Sequence, residues 1–147
     1  DQMALLRRDP DLIEAAIEEF LRYAGPVEVA TIRYAAEDVQ IGETFIPRGT
    51  PVFVILAAAN RDPAEFQNSA ALDVTRKSNK HLGFGYGVHY CLGAPLARLE
   101  ARIAFNTLLK RLPTIQLAVP ASQLRYTDSS IVRGLVRLPV CWAGSGE

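Results

Sequence analysis

The chain has 147 residues with 16 basic and 16 acidic side chains, so its formal net charge is zero. Apolar residues make up 49% of it, which is enough to bury a core and excludes an intrinsically disordered chain. Its two cysteines, Cys91 and Cys141, exclude a disulfide framework and the paired ligands of a zinc ribbon. The longest apolar run, residues 52–59, is too short to span a membrane.

The zero net charge conceals two unequal halves. Residues 1–73 carry 6 basic and 13 acidic side chains, whereas residues 74–147 carry 10 basic and 3 acidic ones. The basic side chains are spread along the second half and do not form the dense stripe that binding to nucleic acid requires. The distribution favours a small anionic ligand or an acidic protein surface as the partner, and it predicts no nucleic acid.

The first half begins with a predicted helix and continues as short strands. Asp9 and Pro10 form a helix start, apolar residues follow at helical spacing as far as Leu21, and Gly25-Pro26 ends the helix. The period then changes, and turn residues separate four predicted strands at 31–34, 39–41, 44–46 and 52–57. Residues 62–66 are typical of one helical turn.

The second half combines a long loop with a long helix. Residues 67–90 show no sustained period, and a loop of that length in a small domain is usually functional or disordered. Apolar residues at helical spacing predict a helix from about Leu92 to Leu112, with Pro95 in its first turn and Pro113 at its end. Short apolar runs around Pro120, Gly134 and Pro139 predict terminal β-hairpins. No internal repeat is present.

The strongest chemical signal is the segment 84–93, Phe-Gly-Tyr-Gly-Val-His-Tyr-Cys-Leu-Gly. It places Cys91 where an irregular loop meets a helix start, and the free N–H groups there favour a thiolate over a thiol. A thiolate at such a position is a nucleophile or a metal ligand. Its glycines let the backbone approach a flat or bulky group, and Phe84 offers an apolar face.

Several chemistries compete for this segment. A phosphate-binding loop is excluded because Val88 and Tyr90 occupy the place of the third glycine. A cysteine nucleophile with His89 or His81 as its base remains possible, although the sequence shows no third group to orient the base. A zinc site lacks a second cysteine pair. A buried cysteine beside a glycine turn also remains open.

The segment resembles the haem-binding signature of the cytochrome P450 superfamily. The signature reads Phe, two residues, Gly, three residues, Cys, one residue, Gly, and Phe84, Gly87, Cys91 and Gly93 match all four positions. The flanking segments 81–83 and 94–100 resemble those of the soluble bacterial members. His89, where membrane-bound relatives usually carry arginine, points to the same group.

A second motif supports the resemblance. Glu19 and Arg22 fit the family's Glu-x-x-Arg pattern on the helix before the sheet, although alone they are an ordinary helical i,i+3 pair. The resemblance implies that this pair is buried and supports the haem pocket. The family's third member is an arginine or histidine close before Leu72-Asp73, where this chain has Ala71. We therefore expect an incomplete triad and weaker support of the haem loop.

The resemblance also implies a cofactor site. The cofactor would be haem b, with iron ligated by the Cys91 thiolate and with Arg33 and His89 as partners of its propionates. Further cofactor contacts are expected from Phe84, Gly85, Gly93 and Ala97. Substrate contacts are expected from Val29, Ala30 and Ile131.

The implied fold is α+β and mainly helical: the C-terminal part of one cytochrome P450 domain, with no boundary inside residues 1–147. Its parts are a support helix, a small mixed β-sheet, the cysteine loop, a long helix and terminal β-hairpins. The family's acid–alcohol pair for oxygen activation would lie upstream. We therefore expect a cytoplasmic haem-thiolate monooxygenase whose isolated 147-residue chain is inactive. A truncated chain with a structural or binding role and a cysteine-nucleophile enzyme are the alternatives.

The implied partners are a small apolar organic substrate and a ferredoxin- or flavodoxin-type electron donor, without a membrane. Arg76, Lys77 and Lys80 form a basic run before the haem loop. The run is either a solvated loop or a docking surface for an acidic donor. Cys141 is interpreted as a buried apolar residue.

Overall fold

The computed structural model describes residues 1–144 as helices, short strands and long irregular segments. The helices are α1 (Gln2–Arg8), α2 (Ile13–Ala24), α3 (Leu56–Ala59) and α4 (Ala94–Arg111). The strands are β1 (Arg33–Tyr34), β2 (Val39–Ile41), β3 (Thr44–Ile46), β4 (Pro51–Val52), β5 (Gln116–Leu117) and β6 (Val140–Cys141). Single 3₁₀ turns span Pro10–Leu12, Gly87–His89 and Ala121–Gln123.

The helix predicted from Asp9 is confirmed, with a different first turn. The Asp9 carboxylate accepts the Asp11 N–H at 3.2 Å, and Pro10 opens a 3₁₀ turn that leads into α2. Helix α2 ends before Gly25, where an added Cβ would lie 2.4 Å from the Leu21 carbonyl oxygen. Helix α1 was not predicted, although Asp1 caps it through the Met3 N–H.

Helices α2 and α4 pack against each other and form the frame of the structure. The Phe20 and Phe105 rings lie 5.2 Å apart between them. The core beside this contact is small and is built on Leu6, Ala16 and Val74. Helix α4 matches its predicted range to within two residues at each end, but its apolar face is largely exposed: Leu96 and Ile103 are 59% and 57% accessible.

The strands form three separate two-stranded antiparallel ladders in the described part of the chain: β1 with β4, β2 with β3, and β5 with β6. The prediction of one small mixed sheet is therefore wrong for these residues. The β2–β3 hairpin has the predicted bounds and turns at Gly42, whose φ is +58°. The strand predicted over 52–57 is cut short because residues 56–59 form α3.

The terminal segment is confirmed in part as β structure. Gln116 pairs with Cys141 and Leu117 with Val140, so the ladder joins the two ends of the segment. A single bridge between Tyr126 and Leu135 lies inside it. Residues 62–66 form the predicted turn, closed by the Phe66 N–H on the Asp62 carbonyl at 2.9 Å. Among residues 1–144, no helix combines the length and the apolar character needed to cross a membrane.

We predict that Val74→Ala lowers the free energy of unfolding by about 2 kcal/mol, because the side chain is fully buried and loses two methyl groups. Urea unfolding followed by circular dichroism measures the change. The control is Val136→Ala at a side chain that is 59% exposed, where we expect a change within about 0.5 kcal/mol. Equal losses at both positions would contradict the assigned core.

Candidate functional site

The buried centre of the structure is an ion pair on α2. Glu19 and Arg22 are 0% and 1% exposed. Arg22 Nε donates to Glu19 Oε2 at 2.7 Å and Arg22 Nη2 donates to Glu19 Oε1 at 2.8 Å, which is bidentate geometry. The pair is therefore buried, as the resemblance implied. Because it is bidentate and shielded from water, its interaction is stronger than that of a surface i,i+3 pair.

The pair has a third charged member, which corrects the expectation about Ala71. Arg76 Nε donates to Glu19 Oε2 at 3.0 Å. Position 71 contributes only its carbonyl oxygen, which accepts from Arg22 Nη2 at 2.8 Å. Arg76 reaches the pair because the Asp73 carboxylate accepts the Thr75 N–H and hydroxyl, which turns the chain back toward α2. The triad is complete, with its arginine after Asp73 instead of before it.

The Glu19 carboxylate is shielded from water, and both of its oxygens accept hydrogen bonds from the protein. Besides the two guanidinium groups, it accepts the Asp73 N–H at 2.8 Å and the Asn79 side-chain amide at 3.0 Å. Burial by itself acts to raise the pKa of Glu19, but the bonds from Arg22, the Asp73 N–H and Arg76 outweigh it and hold the pKa below its usual range. Glu19 is therefore ionised at neutral pH.

Arg22 also organises the irregular segment that follows α3. Its guanidinium donates to the carbonyls of Asn60 at 3.0 Å and Ser69 at 2.8 Å in addition to that of Ala71. Asn60, itself buried, accepts the Leu82 N–H on its side-chain oxygen at 2.7 Å. One α2 side chain thereby fixes the segment that leads to the cysteine loop. Sequence analysis missed Asn60 and Asn79 and assigned Arg76 only to the basic run, because no periodic pattern marks a side chain that bonds to a residue distant in sequence.

The cysteine loop is closed by its own backbone. The Gly85 N–H donates to the Leu82 carbonyl at 2.8 Å, and the Cys91 N–H donates to the Phe84 carbonyl at 2.9 Å. Gly85 and Gly87 have φ of +77° and +69°, which a residue with a side chain adopts only with strain. Cys91 is exposed, so the alternative of a buried structural cysteine is wrong.

Most of the predicted cofactor residues lie around one open cavity of about 620 Å³. Its predominantly apolar lining includes six residues that sequence analysis singled out: Ala30, Arg33, Phe84, Gly85, His89 and Cys91. The Arg33 guanidinium donates to the Thr31 carbonyl at 2.9 Å. A free thiol, an apolar wall and two nitrogen-bearing side chains therefore share one concave surface.

Gly93 is the N-cap of α4 and Ala97 lies in its first turn, where the Ala97 N–H donates to the Gly93 carbonyl at 2.9 Å. A Cβ on Gly93 would stand 3.7 Å from Cys91 Sγ, which is van der Waals contact, so a side chain at this position would lie against the sulfur. Neither residue is among those that line the cavity in the described part of the chain.

The three substrate positions lie on neighbouring extended segments. Val29 forms a bridge with Ile55, and the residue before it donates its N–H to the Ile131 carbonyl at 2.9 Å. Ala30 alone among the three lines the cavity.

His81 cannot act as the base of a cysteine nucleophile in this arrangement. Its Nδ1 accepts the Gly83 N–H at 3.0 Å, and its Nε2 lies 2.9 Å from Glu18 Oε2. Both ring nitrogens are therefore occupied, and neither is available to the Cys91 thiol. His89 remains near Cys91 in the same cavity.

The three residues of the basic run before the loop have different environments. Arg76 belongs to the Glu19 network and its Nη1 donates to the Gln67 carbonyl at 2.9 Å, so it is not a free docking residue. Lys77 and Lys80 are exposed. Cys141 is half-buried in β6, so it is less buried than we expected.

The chain is similar to known proteins along nearly its whole length. A family model described as Cytochrome P450 matches residues 7–129. The chain is 48% identical over 147 residues to the cytochrome P450 monooxygenase PikC of Streptomyces venezuelae, covering 100% of this chain and 35% of the relative. It is 49% identical over 135 residues to the mycinamicin IV hydroxylase/epoxidase of Micromonospora griseorubida, covering 90% of this chain and 34% of the relative.

Solved structures agree with these matches. The structure of the tirandamycin C-bound P450 monooxygenase TamI matches with a TM-score of 0.94 and 49% identity, over 97% of this chain and 36% of that one. The chain therefore spans about a third of the length of the relatives that it matches.

We predict that Glu19→Gln lowers the free energy of unfolding by about 3 to 5 kcal/mol, because it leaves two arginines without their shared carboxylate in a buried place. Urea unfolding measures the loss. Glu14→Gln, on the same helix but 73% exposed, is the control and should change stability by less than about 1 kcal/mol. A similar small loss for both variants would contradict the structural importance of the network.

We predict that acid destabilises the protein through α2. The pKa of Glu18, held down by its bond from Arg98, and that of Glu19 both lie below the ordinary value of 4.5. Their stabilisation is complete above about pH 4.5 and is lost as the pH falls through the lower pKa values of the folded state. The urea concentration at the unfolding midpoint, measured from about pH 6 to about pH 2, should decrease as the pH is lowered. Glu19→Gln should flatten that fall, and an unchanged slope in the variant would contradict the assignment.

Proposed function

The chain belongs to the cytochrome P450 family, and from this we propose that it is the C-terminal, haem-binding part of a haem-thiolate monooxygenase. The observation that carries the proposal is the exposed Cys91 thiol beside an apolar cavity that Arg33 and His89 also line. The reaction would insert one oxygen atom into a small organic substrate with electrons from a redox partner.

The residues present fit a haem group. A flat apolar macrocycle requires an apolar wall, and Phe84, Ala30 and Val54 contribute to one. The positive φ of Gly85 brings bare backbone to the same surface. The two carboxylates of a haem require cationic or N–H donors, and Arg33 and His89 supply them at the cavity.

The chain's own residues would hold and orient this group. Cys91 would ligate the iron through its thiolate, the Phe84 carbonyl fixes the Cys91 backbone, and Gly93 places no side chain beside the sulfur. When bound, thiolate-ligated haem supplies oxygen activation, because the sulfur donates electron density that favours O–O cleavage. Gly93 and Ala97 would contact the group from the N-cap and the first turn of α4.

The proposed substrate is a small, mainly apolar organic molecule. Ala30 lines the cavity, and the extended segments that carry Val29 and Ile131 are hydrogen-bonded beside it, which supports a substrate contact there. One relative is named as a mycinamicin IV hydroxylase/epoxidase, and one solved structure is of a relative bound to tirandamycin C. Both names support an organic molecule as the substrate.

The proposed electron donor is a ferredoxin- or flavodoxin-type protein with an acidic surface. Lys77 and Lys80 are exposed in the segment that leads to the cysteine loop, whereas Arg76 is used internally. Long-range attraction between unlike charges would steer the donor and would weaken as salt is added.

We expect little or no turnover from the isolated 147-residue chain. The cavity is open, and Tyr86 beside Cys91 is 87% exposed, so water would reach a group bound there. Oxygen activation would then require parts of the longer protein that enclose the other face. A structural or binding role for the chain alone is the alternative that this openness favours.

We predict that the haem-loaded, reduced protein treated with carbon monoxide shows a strongly red-shifted Soret band, and that Cys91→Ser abolishes it. The control is Cys141→Ser, which removes the other thiol and should leave the band in place. A red-shifted band in Cys91→Ser, or its loss in Cys141→Ser, would contradict Cys91 as the ligand. If the 147-residue chain takes up no haem, the proposal holds only for the longer protein.

We predict that Arg33→Gln and His89→Gln each weaken haem binding about tenfold, because each removes a charge-assisted hydrogen bond to a carboxylate. Titration of the purified protein with haemin, followed by absorbance, gives the dissociation constants. Arg48→Gln, at an exposed arginine outside the cavity lining, is the control. Unchanged constants in both site variants would remove these residues from the cofactor site.

A further inference from the structure

A second ionic cluster, distinct from the Glu19 network, connects both long helices to the cysteine loop. It consists of Glu18, His81, Tyr90 and Arg98, which we call the Glu18 cluster. Arg98 on α4 donates from Nε to Glu18 Oε1 at 2.6 Å and from Nη2 to Glu18 Oε2 at 2.8 Å. This bidentate pair crosses from α4 to α2, and the two side chains are 35% and 28% exposed.

The cluster reaches the beginning of the loop through His81. Because the Gly83 N–H donates to His81 Nδ1 at 3.0 Å, that nitrogen must be unprotonated. The proton of the neutral ring therefore lies on Nε2, which donates to Glu18 Oε2 at 2.9 Å. The ring is 2% exposed. Glu18 thus orients the imidazole, and the imidazole holds the Gly83 amide immediately before Phe84.

The cluster reaches the end of the loop through Arg98. Its Nη1 donates to the Tyr90 hydroxyl at 2.9 Å, and Tyr90 directly precedes Cys91. The guanidinium carbon also lies 4.7 Å from the centre of the Phe84 ring, which is cation–π geometry. One guanidinium therefore contacts the residue that begins the loop and the residue before its cysteine.

We propose that Glu18, His81 and Arg98 are positioning residues for Cys91, which fix the two ends of the cysteine loop against α2 and α4. They touch neither the thiol nor the cavity directly, and they act through Gly83, Phe84 and Tyr90. The loop itself contains the two positive-φ glycines, and none of residues 84–91 is buried, so its backbone bonds alone would leave it free to open. The part of the proposal that concerns haem rests on the function proposed above.

The same two helices carry a matched control pair. Arg102 Nη1 donates to Glu14 Oε1 at 3.1 Å, about one turn along from the Glu18–Arg98 pair on each helix. Arg102 and Glu14 are 48% and 73% exposed, and among the described residues neither side chain forms a hydrogen bond to the loop. A cluster that merely joined the helices would behave like this pair.

The first experiment measures amide hydrogen exchange in the purified protein without haem. The reporters are the loop amides that donate inside it: Gly83, Gly85, Tyr90 and Cys91. We expect exchange about tenfold faster or more in Glu18→Gln and in Arg98→Lys, since each weakens a charge-assisted bond. Glu14→Gln and Arg102→Lys should leave these amides unchanged. Exchange of the α2 amides reports whether each variant is folded.

The second experiment uses a spectroscopic readout in the haem-loaded protein. We expect Glu18→Gln and Arg98→Lys to lower the fraction of the carbon monoxide complex that shows the red-shifted Soret band, relative to the two controls. Unchanged loop exchange in both cluster variants, or equal acceleration in the controls, would overturn the proposal. Failure of all variants and of the parent protein to bind haem would instead count against the proposed function, while the exchange result would still decide the positioning role.

Discussion

The structure depends on one buried carboxylate. Glu19 lies where water does not reach, so the cost of its charge has to be offset by groups that the chain brings to it. Those groups come from its own helix through Arg22 and from a segment more than fifty residues later through Arg76 and the Asp73 N–H. Each bond to the carboxylate therefore also fixes a distant part of the backbone.

This constraint explains how a long irregular segment can be ordered. Residues 60–93 contain no strand in the structure, and their polar backbone groups have no ladder to join. Arg22 donates hydrogen bonds to three backbone carbonyls. Asn60 accepts a hydrogen bond from the Leu82 N–H, and His81 accepts one from the Gly83 N–H. Side chains from α2, from the C-cap of α3 and from the segment itself thus bond to backbone groups that no sheet satisfies, and they fix the start of the cysteine loop.

Some of this was predictable from the sequence. Helix α2, the β2–β3 hairpin and helix α4 follow from local spacing, caps and turn residues, and the structure has them within a few residues. The partner of Glu19 was misplaced at position 71, because its true position depends on the Asp73–Thr75 turn and not on a spacing. The prediction of a single mixed sheet was wrong, because strand pairing depends on residues that are distant in sequence.

The sequence by itself determined the family, through the Phe84 to Gly93 segment and the Glu19–Arg22 pair. Both motifs are short, so their residue types and spacing can be recognised without knowing the fold. The sequence also predicted which residues would face a cofactor, and that assignment stays a prediction. Only the tertiary structure decided that Arg33, His89 and Cys91 share one cavity and that Arg76 binds the buried Glu19 carboxylate. It alone decided that Glu18 and Arg98 meet at the cysteine loop. The physical reason is that these contacts join residues tens of positions apart, whose meeting depends on how the helices pack and not on any local pattern.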